Sequence, residues 1–159
     1  MTLPAADISD DVLLRSELLG ELVVPRSELI TFPAGLYGFS ECRTFALVPT
    51  AREGLFWLQS ADHSALAFLL ADPFVFFADY KVDLSPVELA RVGTAEPSDI
   101  LVLSIVTLGD RKEGTCTANL QGPLVLNMKA RTGVQTVLAD EAWGVREPFT
   151  VGSEAHAAG

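Results

Sequence analysis

Residues 100–108 read ILVLSIVTL, and the run alternates with period two. One face carries Ile100, Val102, Ser104, Val106 and Leu108; the other carries Leu101, Leu103, Ile105 and Thr107. Both faces are apolar, which predicts a central strand covered on two sides. A sheet that curls and closes on itself, with segments packed outside it, supplies that cover. The flanking sequence agrees. Gly109-Asp-Arg-Lys-Glu-Gly114 is a hairpin loop leading to Thr115–Leu120. Leu55–Ser60 and Leu66–Ala71 flank the loop Ala61–Ala65, and Leu124–Met128 and Val134–Ala139 flank Lys129–Gly133. Three successive hairpins predict a mainly β fold: one antiparallel, β-barrel-like domain.

Helices are short in this reading. Ser85-Pro86-Val87-Glu88 supplies a capping hydroxyl, proline at the first helical position and Glu for a capping box. Gly93 is the natural terminator, about two turns on. Before it, Tyr80, Val82 and Leu84 alternate with Lys81 and Asp83, so the chain there is extended. Residues 1–13 are assigned to a flexible acidic extension, 14–151 to the β domain and 152–159 to a flexible tail.

The 159 residues are 49% hydrophobic with a net charge of −10, which excludes a disordered chain and points to a real core. Acidity of this size repels nucleic acid and anionic membranes and steers a basic protein partner inward. Residues 55–77 are apolar but broken by Asp62, His63 and Asp72, so they do not form a bilayer span. No secretory signal is visible, and a cytoplasmic protein is expected. Cys42 and Cys116, far apart and outside any CxxC pattern, read as buried thiols.

Catalytic groups are sparse. His63 falls in a hairpin loop and His156 in the tail, without the company a zinc site needs. The adjacent acids Asp10-Asp11 and Asp140-Glu141 point apart in any extended chain. Neither GxGxxG nor GxxxxGK[ST] occurs. The expectation is a binding protein with no enzyme activity, cofactor or metal.

Three segments exceed what composition explains. ITFPAGLYGF (30–39) bends at Pro33, Gly35 and Gly38 while Phe32, Leu36 and Phe39 anchor it. LADPFVFFADY (70–80) packs Phe74, Phe76, Phe77 and Tyr80 between Asp72 and Asp79. TANLQGPLVLN (117–127) bends at Gly122-Pro123, with Asn119 and Asn127 placed to tie off backbone groups at that structural corner.

These segments, with FWLQS (56–60), DILVLSIVT (99–107), VQTVL (134–138) and WGVREPF (143–149), come in the order and spacing of the FliW family of flagellar assembly factors, which the chain resembles over about residues 18–149. Tyr37 stands where the family reads Pro, and Gly122 where it reads Ala. The resemblance implies an antiparallel barrel-like domain that works by partner switching: it binds flagellin and, when free, binds CsrA, a dimeric RNA-binding repressor of flagellin translation. On that basis Asp79, Asp83 and Glu88 are candidates for contacting CsrA. An outward subset of Phe74, Phe76, Phe77 and Tyr80 is the candidate flagellin surface. If the segment is extended, Phe74 and Phe76 share one face and Phe77 takes the other. A monomer is expected when no partner is bound. The competing readings are a flagellin chaperone without a CsrA role, and a small-molecule-binding barrel, against which the crowding of Phe, Leu and Val argues.

Overall fold

In the computed structural model, which describes residues 10–93, 96–109, 115–139 and 142–150, strand β7 (Ile100–Leu108) has neighbours along both edges. On one side it pairs antiparallel with β6 (Ala67–Ala71), which continues through β5 (Leu55–Ser60), β4 (Thr44–Pro49) and β3 (Ile30–Thr31). From β3 the ladder passes to β10 (Thr132–Gln135) and β9 (Leu124–Asn127), and β9 returns to β7 with Leu103 opposite Leu124. The sheet thus closes, as the two apolar faces of residues 100–108 require. Closure is irregular: β3 is two residues long, and its pairing with β10, through Thr31 and Thr132, is parallel.

Beyond the ring, β8 (Thr115–Ala118) extends the same edge of β7 and carries β11 (Glu147–Thr150) outside it. Between β8 and β9, residues 119–123 stand opposite only Ser104 and Ile105, a wide bulge at the Gly122-Pro123 bend.

Alternation sorts side chains into two layers. Leu58, Leu70, Leu103, Leu124 and Leu126 join Ile30, Phe32, Leu36 and Phe45 in one buried cluster, with Phe32 and Phe45 edge to face at 5.5 Å. The opposite face of β5, β6, β7 and β8 gives Leu55, Ala71, Val106 and Cys116, covered by Phe76 and Phe149. Gly133 is required in β10, since a Cβ there would stand 2.6 Å from the Phe32 ring. Gly35 lies at φ +71° with Ser40 backbone 2.5 Å from where its Cβ would be, so the 30–39 loop folds tightly over buried Phe32 and Leu36.

Several expectations are corrected. Residues 11–13, assigned to the extension, open β1 (Asp11–Ser16), which pairs with β2 (Gly20–Pro25) as a separate two-stranded sheet. Residues 1–9 and 151–159 lie outside the described residues. Strand β10 starts at Thr132, two residues earlier than the sequence suggested, because the β9–β10 turn closes at Arg131 in the left-handed region (φ 58°). Residues 73–76 are not extended but form a one-turn helix, α1 (Pro73–Phe76). Asp72 caps it by accepting from the Phe74 N–H at 3.0 Å, and Pro73 fills its first position. Helix α2 (Pro86–Arg91) has the full Ser85/Glu88 capping box and ends before Gly93 at φ +85°.

Candidate functional site

The aromatic segment lies on the outer face of the barrel. Because α1 rotates successive residues by about 100°, Phe74 and Val75 emerge to solvent at 49% and 48% exposure, Phe76 and Phe77 are half-buried, and Tyr80 is buried at 3%. Of the four proposed aromatics, only Phe74 is an outward ring. The other three are packing. Phe76 meets Phe149 at 5.0 Å, Phe77 meets Phe149 at 5.5 Å, and Tyr80 meets Trp143 at 5.4 Å. The Tyr80 hydroxyl donates to the Leu120 carbonyl at 2.7 Å, and burial pushes its phenol up to about 12. Phe74 rests on the Tyr80 ring at 5.5 Å, so its exposed position is held from below.

From Phe74 an apolar groove of about 280 Å³ runs between the 80–85 segment, α2 and the start of β7. Val82, Leu84, Leu89, Pro97, Ile100 and Val102 complete its lining. The expected alternation of residues 80–84 is what builds it: Tyr80, Val82 and Leu84 turn inward while Lys81 and Asp83 are exposed. Sequence reasoning missed Leu89, Pro97, Ile100 and Val102 as groove-lining residues, although it grouped Ile100 and Val102 on one face of the strand.

The three proposed carboxylates differ in their surroundings. Asp79 and Asp83 are exposed; Asp83 and Lys81 border a second hollow, of about 310 Å³, with Leu138 and Ala139. Glu88 is committed locally. It accepts from the Ser85 backbone N–H at 3.2 Å and from the Thr136 hydroxyl, and chiefly that Thr136 bond holds its carboxyl below the usual range. It ties α2 to the segment after β10.

At the corner, the Asn119 side chain accepts from the Gly122 N–H at 2.8 Å, as expected. Pro123 adds its carbonyl, which accepts from the Thr136 N–H at 3.0 Å. Asn127 serves a different place. It donates to the Val92 carbonyl at 2.8 Å, behind α2, and accepts from the N–H groups of Lys129 and Ala130 in the β9–β10 turn. The overlooked residue is Gln135, which donates to the Gly122 carbonyl at 2.9 Å and accepts from the Tyr37 N–H at 2.9 Å, linking the corner to the 30–39 loop.

His63 is exposed in the β5–β6 loop, and both cysteines are buried thiols outside any disulfide, with burial raising the Cys116 thiol pKa. His156 and the Asp140-Glu141 pair lie outside the described residues. Among the described residues no His, Cys, Asp or Glu group is arranged to hold a metal, and no helix is long and apolar enough to cross a membrane.

Comparison with known proteins agrees with this architecture. The FliW protein family model matches residues 13–149. The chain is 35% identical to the flagellar assembly factor FliW of Treponema denticola, covering 92% of this chain and 97% of that one. It is 37% identical to the flagellar assembly factor FliW of Moorella thermoacetica, covering 80% and 81%. A crystal structure of the flagellar assembly factor FliW superposes with a TM-score of 0.77 at 27% identity, over 86% of this chain and 95% of the other. With the model match spanning nearly every described strand, the chain belongs to the FliW family of flagellar assembly factors.

Proposed function

We propose that this protein binds flagellin in the cytoplasm and, when free of it, binds and antagonises the RNA-binding repressor CsrA, so that flagellin synthesis follows export. It works by binding, with no chemistry of its own. The observation that carries the reading is Phe74, a half-exposed ring braced on Tyr80 at the head of an apolar groove, in a protein of net charge −10. Flagellin's amphipathic terminal helices need their apolar faces covered before assembly, and an exposed aromatic beside an aliphatic groove provides such cover. CsrA binds RNA and is basic, so the acidic surface, with exposed Asp79 and Asp83, attracts it. Glu88 is the weakest of the three candidates, since its carboxylate already serves Ser85 and Thr136.

Isothermal titration of the purified protein with flagellin and with CsrA tests this. Both should bind, and CsrA affinity should fall as salt rises, because exposed charges are screened beyond roughly 8 Å at physiological ionic strength. Retention of flagellin alone would leave a chaperone without the CsrA role. Binding of neither would overturn the proposal.

A further inference from the structure

We propose that the groove lined by Phe74, Val82, Leu84, Leu89, Ile100 and Val102 is a docking site for one kind of occupant: the apolar face of an amphipathic helix whose flanks carry Lys or Arg. The inference rests on the binding role above and gives that role its recognition chemistry.

The lining decides against a metabolite. Every lining side chain is apolar, and the volume of about 280 Å³ lies at the lower end of ligand clefts, which use a few convergent polar groups to orient their contents. No side chain here does that. A helix satisfies its own backbone N–H and C=O groups and asks only for apolar side chains to receive its apolar face, which is what the groove's side chains supply. Two or three side chains at helical spacing can enter beside Phe74, which is already held in place by the Tyr80 ring 5.5 Å away and loses little freedom on contact.

Charge selects the flanks. Residues 79–99 carry Asp79, Asp83, Glu88, Glu96 and Asp99 against only Lys81 and Arg91. Asp83, Glu88, Glu96 and Asp99 are each next in sequence to a residue that lines the groove, so they sit where a basic flank of a docked helix would meet them. The same charge argues against a second copy as occupant, since two chains of −10 repel.

The test uses a fluorescein-labelled amphipathic helical peptide of Leu and Lys, its Leu/Glu counterpart, and the full-length chain, read by fluorescence anisotropy. Leu89→Ser and Phe74→Ala alter the groove without altering charge, and the thermal unfolding of each is recorded. Val23→Ser, at a 68% exposed position on the β1–β2 hairpin, is the control. The Leu/Lys peptide should bind, lose roughly tenfold in affinity in either groove variant that remains folded, and be indifferent to Val23→Ser. The Leu/Glu peptide should bind at least about tenfold more weakly. Undiminished binding to both groove variants, or equal binding of the Leu/Glu peptide, would overturn the proposal. Flagellin and CsrA titrated against the same variants separate the two inferences. If both proteins bind undiminished to the groove variants, the groove assignment fails and the role stands. If the peptide docks in the groove but neither protein binds, the reverse holds.

Discussion

The barrel interior and the outer groove are made from the same residue types but finished differently. Inside, Phe45, Leu58, Leu70, Leu103, Leu124 and Leu126 are all at 0% exposure. Outside, Val82, Leu84, Leu89 and Ile100 are only half-buried, and Phe74 keeps half its surface in solvent. Strand β7 contributes to both, Leu103 inward and Val102 outward. Closing a ring of strands buries the middle of its inward face, with partly buried residues such as Leu101 and Ile105 at its margins. The other face depends on whatever short segments cross it, and here α1, residues 80–85 and α2 leave an apolar groove beside the start of β7. The sealed layer holds the fold, and the unsealed one is the surface proposed to take a partner.

That division is open to breakage, and the largest effect belongs to the interior. Phe45→Ala should cost about 3–5 kcal/mol of unfolding free energy in urea. A cost below about 1 kcal/mol would mean that the interior is not a close-packed core. Phe74→Ala should do the opposite, removing roughly 2 kcal/mol or more of flagellin affinity while moving the melting temperature little. A matching loss of stability would reduce Phe74 to one more core ring. At the boundary, Tyr80→Phe leaves the Leu120 carbonyl unpaired and should cost about 1–2 kcal/mol. Because burial raises the Tyr80 phenol from 10.0 to about 12, its contribution is complete below pH 10 and fades as pH climbs towards 12. Alkaline unfolding that is identical in wild type and Tyr80→Phe would contradict this. Smallest of all is Ser104→Ala. The Ser104 hydroxyl is fully buried without a hydrogen-bond partner, so its removal should leave stability unchanged or slightly higher in thermal melts.

How much of this the sequence disclosed follows from how local each signal is. The Ser85 capping box and the Gly93 stop are fixed by neighbours within a turn, and both are found where their residues stand. The three hairpins and the double-sided strand at 100–108 were equally readable, since alternation is a period-two pattern in contiguous residues. The Asp72-Pro73 pair carried a helix-start signal that the aromatic run obscured; an extended backbone would put Phe76 on the face of Phe74, whereas α1 half-buries it against Phe149. The β1–β2 hairpin went unread because its turn, Glu17-Leu-Leu-Gly20, looks apolar rather than turn-like. The groove was least legible. Its walls come from residue 74, residues 82–89 and residues 97–102, brought together only by tertiary packing. Gln135 bridges Gly122 and Tyr37 across 13 and 98 positions of sequence, and nothing adjacent to it signals the role.

The claim that the unsealed outer layer is the docking surface is tested most directly by methyl-resolved NMR of the isotopically labelled protein titrated with purified flagellin. The account predicts that the largest shifts fall on the methyls of Val82, Leu84, Leu89, Ile100 and Val102, with Leu58, Leu70 and Leu103 inside the barrel unmoved. Shifts confined to Leu13, Leu18 and Val23 on the β1–β2 hairpin, with the groove methyls silent while flagellin binds, would contradict it.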